Sequence, residues 1–155
     1  DHFNWYRLTV NFIFVMMKTK ICLILLVFSV LYACKKNDDA IPNIAVNEYI
    51  DLNLPSYFPL NAVNGWVYYN AGVKGIIIFR KSTTEFVAIE RTCSFDPSTS
   101  GAVVEVENNN IIAVDSVCGS RFSLYDGSIV NGPATRALQQ YKADYLVNNR
   151  LHIYN

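Results

Sequence analysis

Two cysteines, Cys93 and Cys118, carry the most distinctive chemistry in the body of this chain. A thiol pair can close a disulfide, exchange electrons with another dithiol or, once deprotonated, hold a soft metal ion. Their 25-residue spacing is unlike the close Cys-x-x-Cys pair of a thiol–disulfide exchanger, and no Lys or His adjoins either one in sequence to lower its pKa. Two thiols alone also fall short of the four ligands of a closed metal site. The other usual engines of catalysis are missing. Of the two histidines, His2 lies in the N-terminal extension, and His152 alternates with Leu151 and Ile153 and so faces solvent on a final strand. No Ser-His-Asp or Cys-His set can be assembled, and there is no Gly-rich phosphate loop or His-x-x-x-His pair. Glu105 and Glu107 share one strand face and read as solubilising charges rather than a glycosidase pair. The chain is not expected to be an enzyme.

The elements that must position these thiols are strands. Of 155 residues, 52% are apolar, 17% charged and 14% aromatic, which excludes a disordered or tail-like protein. The formal net charge of zero removes the basic footprint of a nucleic-acid binder. No stretch of the body keeps a 3.6-residue apolar period. Short β-branched and aromatic runs alternate instead with turn residues, which predicts strands at 66–69, 75–79, 86–89, 103–106, 111–114, 128–130, 139–141, 145–147 and 151–154. The Asn clusters at 108–110 and 148–149 each sit between two such runs and signal hairpins. Many short strands in so few residues mean an all-β sandwich or small barrel. Pro42, Pro55 and Pro59 forbid long strands at 40–64, and 52–60 reads as an extended segment whose Leu, Tyr and Phe side chains cover the core.

The N-terminal third is of another kind. From Met17, two lysines precede the uncharged run 21–33, whose 13 residues end at Ala33-Cys34. As a helix that run is roughly 20 Å long, short of the ~30 Å bilayer core, so it reads as a secretory signal rather than a stable span. Leu31-Tyr32-Ala33-Cys34 resembles a lipobox, the cleavage site of bacterial lipoproteins, with Cys34 as the lipid attachment residue. The charged run at 35–39 reads as a tether, and its acidic residues resemble the surface-export signal of Bacteroidetes outer-membrane lipoproteins. The organisation expected is therefore an upstream extension at 1–16, a signal peptide at 17–33, a tether at 34–44 and a β domain at 45–155. The implied location is the bacterial cell envelope, on an outer membrane, at its periplasmic or its surface face. Residues 34–155 carry 12 acidic and 10 basic side chains, a net charge of −2. Of the four cysteines, Cys22 leaves with the signal and Cys34 takes lipid. The two left over, in an oxidising compartment, point to one disulfide between Cys93 and Cys118.

Residues 118–141, Cys-Gly-Ser-Arg-Phe-Ser-Leu-Tyr-Asp-Gly-Ser-Ile-Val-Asn-Gly-Pro-Ala-Thr-Arg-Ala-Leu-Gln-Gln-Tyr, resemble the C-terminal half of a Rieske-type [2Fe–2S] domain. The matching positions are Gly119, Ser120, Phe122, Gly127, Gly132, Pro133, Ala134, Leu138 and Tyr141. Upstream, Ala88-Ile-Glu-Arg-Thr-Cys93-Ser-Phe-Asp-Pro97 resembles that domain's strand and first ligand loop. The likeness spans about residues 66–155 and implies a Rieske-like antiparallel β-sandwich with two ligand-type loops.

The resemblance breaks at the ligands. A Rieske cluster takes two Cys on one iron and two His on the other. Here Phe95 stands in the first His place. Aligning the second loop on Gly-Ser-x-Phe puts Asp115 in the Cys place and Cys118 in the His place; aligning it on Cys118 puts Arg121 in the His place. Phe cannot ligate iron, and Arg stays protonated. The resemblance thus implies a degenerate member with vestigial positions Cys93, Phe95, Asp115 and Cys118, without metal or other cofactor. Phe95 is expected to turn inward and fill the vacated volume, and a Cys93–Cys118 bond to fasten the loop tips in place of the cluster. The function expected is structural or protein-binding, in a protein held to the membrane by a lipid anchor. The alternative is an iron–sulfur electron carrier with unusual ligands around a 2Fe–2S cluster.

Overall fold

The computed structural model describes residues 40–155. The expectations for the extension, the signal peptide, the acylated Cys34 and most of the tether fall on residues 1–39, outside the described residues. From Asn47 the chain forms β1 (Asn47–Asp51), a 3-10 helix (Pro55–Asn61), β2 (Trp66–Tyr69), β3 (Ile76–Arg80), β4 (Phe86–Glu90) and β5 (Val104–Val106). It continues as β6 (Ile112–Asp115), β7 (Arg121–Ser123), β8 (Ile129–Asn131), β9 (Gln140–Leu146) and β10 (Arg150–Tyr154). The all-β class is as expected. No helix among the described residues is long and apolar enough to cross a membrane.

The strands form a six-stranded sheet in the order β1-β10-β9-β4-β3-β2 and a four-stranded sheet in the order β5-β6-β7-β8, all paired antiparallel. Successive residues of β3 belong to two different cores. Ile77 and Phe79, with Val87 and Ile89 of β4, pack against Val104, Ala113, Phe122 and Leu124 from the small sheet. Ile76 and Ile78, with Phe86 and Ala88, pack against Ile50, Leu151 and Ile153 from the far end of their own sheet. Residues from both ends of the large sheet thus share one cluster, and the edge strands meet where Tyr69 Oη donates to Glu48 Oε2 at 2.7 Å. That arrangement explains why β3 reads as an unbroken run rather than an alternation: both of its faces are buried. Each such Ile or Phe stabilises by roughly 1.5–3 kcal/mol through burial.

Both Asn hairpins form, β5–β6 and β9–β10. Asn148 and Asn149 both take positive φ, 61° and 58°, the left-handed pair that a tight hairpin turn demands and that Asn tolerates best after Gly. Four elements depart from expectation. The runs at 139–141 and 145–147 are one strand, β9, because Lys142 and Asp144 between them pair in register with Tyr154 and His152 of β10. β1 and β7 have no counterpart among the expected strands; β7 is three residues long, too short for a period to show. The 52–60 segment is mostly a 3-10 helix, entered at Pro55, where a missing N–H costs nothing. Its Leu52 and Leu60 are fully buried as expected, but Leu54 and Phe58 are 51% and 73% exposed.

Candidate functional site

The two loops in question follow β4 of the large sheet and β6 of the small one. Past β4, Thr92 bridges to Val103, and Cys93 N–H donates to the Ala102 carbonyl at 3.2 Å, which sets the cysteine at the start of a loop closed at 102. Lys74 fixes that loop from outside: its ammonium donates to the carbonyls of Thr99 at 2.6 Å and Ala102 at 3.1 Å. Within it, the half-buried Asp96 carboxylate accepts from the Thr99 and Ser98 hydroxyls, and the Thr99 bond foremost holds its pKa below the usual carboxylate range.

The second loop begins at Asp115, the last residue of β6. Its backbone exchanges bonds with the other end of the turn, Asp115 N to Ser120 O at 2.9 Å and Gly119 N to Asp115 O at 2.7 Å. Its side chain is fully buried, and Oδ1 accepts from Val117 N–H at 2.9 Å. A third segment ties the loops together. Ala134 N–H donates to Ser120 Oγ at 2.9 Å, and Arg136 accepts from Ser94 Oγ at 2.5 Å through its carbonyl while its guanidinium donates back to Ser94 O at 3.3 Å.

These constraints converge on one cluster. Cys93 Sγ and Cys118 Sγ lie 3.7 Å apart, and Cys118 Sγ lies 3.1 Å from Asp115 Oδ2 and 3.1 Å from Ser120 Oγ. One ligand atom from each of Cys93, Asp115 and Cys118 falls within 4.8 Å of the others. Cys93 is completely buried, Cys118 half-buried. Burial foremost, then the neighbouring Asp115 carboxylate, pushes the Cys93 thiol up to about 12, and the Phe95 N–H that donates to its sulfur offsets only part of this. At neutral pH Cys93 is a thiol, not the thiolate nucleophile of an exchanger.

The structure therefore brings Cys93, Asp115 and Cys118 together, but not Phe95. Phe95 is 48% exposed and does not fill the space between the loops. The expectation that it turns inward is corrected. The sulfurs and the Asp115 carboxyl already close that space at hydrogen-bonding distances and leave no room for a ring. Arg121 pairs with Glu107 at 2.5 Å. The cysteine sulfurs approach without joining, since both are free thiols. His152 stacks between Tyr49 and Tyr154, with ring centroids at 4.1 and 4.5 Å, and its Nε2 meets Asn47 Oδ1 at 2.7 Å, away from the cluster on β10. Glu105 lies 3.9 Å from Arg91, so each of the paired strand acids has an arginine partner.

One residue of consequence escaped the sequence reading. Glu90, the last residue of β4, is fully buried and accepts five hydrogen bonds. They come from the N–H groups of Val73, Lys74 and Thr92 at 2.9, 2.9 and 3.0 Å, the Thr92 hydroxyl at 2.7 Å and the Tyr141 hydroxyl at 2.8 Å. Burial works to raise its pKa, but the donors outweigh burial and hold it below the usual carboxylate range. In turn, burial and the Glu90 carboxylate hold the Tyr141 hydroxyl well above its ordinary value. Glu90 sits three residues before Cys93 and fixes the root of the first loop. The available signal was an acid at the end of an apolar strand. Gly72 has φ +72°, and a Cβ there would lie 2.3 Å from Glu90 Oε2.

No protein-family model matches this chain, and no curated protein matches it. Solved structures similar to it include the plasma-membrane Rieske protein PetC3 from Synechocystis PCC 6803. That match has 18% identity, covers 73% of this chain and 99% of that one, and has a TM-score of 0.49. Others are a complex of oxygenase and ferredoxin in carbazole 1,9a-dioxygenase (14% identity, 73% and 94% covered, TM-score 0.46) and the E. coli protein NirD (15%, 72% and 98%, 0.44).

Proposed function

We propose that the protein is a lipid-anchored bacterial cell-envelope protein whose Rieske-like domain carries no [2Fe–2S] cluster and serves a structural or protein-binding role. The observation that carries this reading is the donor set. The two ligand-type loops converge as the resemblance implies, yet they offer two sulfurs and one carboxylate, with a solvent-facing Phe95 where an imidazole would be needed. A [2Fe–2S] cluster needs four donors, and a Rieske-type one needs two of them to be imidazoles, so these three residues do not fit it. The electron-carrier alternative would require a fourth ligand that the described residues do not provide at this place. What remains is a scaffold whose loop tips are fastened by protein contacts. On export the two thiols close a disulfide, giving up two protons and two electrons to a disulfide of a thiol oxidant. Phe95 and Val117, 48% and 58% exposed at the two tips, are apolar points for an envelope protein partner to touch. The anchor rests on the signal-like 17–33 and on Cys34.

Mass spectrometry of the native N-terminus tests the anchor. A chain beginning at an acylated Cys34 is expected, with acylation lost in Cys34→Ala; an unmodified chain beginning before Met17 contradicts it. Pull-down from native membranes with the lipidated protein should return an envelope protein whose capture weakens in Phe95→Ala/Val117→Ala.

A further inference from the structure

We propose that the dithiol form of the cluster is a mononuclear metal site, in which Cys93 Sγ, Cys118 Sγ and Asp115 Oδ2 bind one soft divalent cation of the zinc type and leave a fourth place to water. The geometry is already set. A tetrahedral zinc with Zn–S bonds of about 2.3 Å separates two thiolates by about 3.75 Å; here the sulfurs are 3.7 Å apart. A carboxylate oxygen at about 2.0–2.2 Å from the ion belongs about 3.5 Å from each sulfur. Asp115 Oδ2 is 3.1 Å from Cys118 Sγ, and the three ligand atoms lie within 4.8 Å. The Cys118–Asp115 pair needs to open by only about 0.4 Å to match that spacing.

The supporting shell is in place as well. Asp115 Oδ1 is held by Val117 N–H at 2.9 Å, which leaves Oδ2 aimed at the sulfurs. Ser120 N–H points at Cys118 Sγ from 3.4 Å, the kind of donor that steadies a metal-bound thiolate. Two sulfurs with one oxygen favour zinc-type ions over magnesium or calcium, which want oxygen alone. Cys118 is only half-buried, which leaves a way in. On binding, both S–H protons leave to solvent, and two thiolates, one carboxylate and the dication sum to −1. A disulfide uses the same sulfurs, so metal and disulfide exclude each other. The inference needs the dithiol state and does not depend on the envelope location.

The test uses the full chain, reduced and kept anaerobic, in a Cys22→Ser/Cys34→Ser background so that only these thiols remain. Titration with Co²⁺ alone should give one ion per chain, with thiolate charge-transfer absorption and the strong visible bands of tetrahedral cobalt. Zn²⁺ should bleach both, with two protons released per ion. Cys118→Ser and Asp115→Asn should each weaken binding at least about tenfold. In a readout that needs no substitution at the site, Zn²⁺ should slow alkylation of Cys118 at least about tenfold. No stoichiometric binding by the folded, reduced chain overturns the site. So does six-coordinate cobalt, binding that survives Cys93→Ser/Cys118→Ser, or alkylation indifferent to Zn²⁺. Bound iron with sulfide would instead defeat the cluster-free reading, so the two failures are distinguishable.

Discussion

Glu90→Gln removes one charge and no bulk, and the structure says what it leaves behind. Oε2 of Glu90 accepts from Val73 N–H and Tyr141 Oη, and Oε1 from Lys74 N–H, Thr92 N–H and Thr92 Oγ1. A glutamine has one oxygen, so its amide N–H₂ must face one of these groups of donors. Turned toward Oε2's partners, it lets the Tyr141 hydroxyl rotate and accept, but it orphans the Val73 N–H. Turned the other way it orphans two backbone N–H groups. One unsatisfied buried donor costs about 1–3 kcal/mol, and the remaining bonds lose charge assistance. Relief of the desolvation of a buried anion offsets part of this. The net loss expected is about 2–4 kcal/mol, a large fraction of a domain stability of about 5–15 kcal/mol. Denaturant unfolding of reduced wild type and variant reads it as a lower midpoint at unchanged slope. The pH dependence supplies the sign. Because the folded pKa of Glu90 lies below the unfolded value, the unfolded chain binds more protons between the two, and stability rises with pH there. The gap between wild type and Glu90→Gln should therefore be full above about pH 5 and close as pH falls through the folded value. A loss under about 1 kcal/mol, or a gap that widens in acid, would refute the reasoning.

If the Cys93–Cys118 bond forms, non-reducing peptide mapping of air-exposed protein finds the linked peptides, and Cys93→Ser costs about 2–4 kcal/mol under oxidising conditions. Two freely alkylated thiols reject the bond. Phe122→Ala, at the centre of the inter-sheet core, should cost about 3–5 kcal/mol in the same denaturation assay, whereas Phe95→Ala stays within about 0.5 kcal/mol. Gly72→Ala should lose about 2 kcal/mol or more, since φ +72° disfavours any Cβ and this one would displace Glu90 and Tyr141.

The sequence carried the fold wherever an apolar run was bounded by turn residues. β2 was legible to the residue, and both Asn hairpins were read from turn chemistry alone. β1 and β7 were not legible. The first buries one residue, Ile50, and is held by register with β10 rather than by its own pattern. The second is defined by its partners on either side. β9 read as two pieces because its solvent-facing Lys142 and Asp144 look like a break, although β10 pairs across them. At the site, cysteine counting pointed to Cys93 meeting Cys118, but the place of Asp115 beside them was accessible only through the family resemblance, since residues 25 positions apart share no local period. The direction of Phe95 was not accessible at all. Whether an aromatic ring fills a gap depends on whether a gap exists, and the sulfur and carboxylate contacts had already closed it. Glu90 was hidden because a buried charge is tolerated only by donors that come from elsewhere in the chain.

The central proposal is that this domain has the ligand-type loops of an iron–sulfur fold without the cluster. Iron and acid-labile sulfide analysis of the anaerobically purified protein, paired with electron paramagnetic resonance after reduction, tests it most directly. The account predicts a colourless protein with neither element in stoichiometric amount and no Rieske-type signal; two irons and two sulfides per chain with that signal would contradict it.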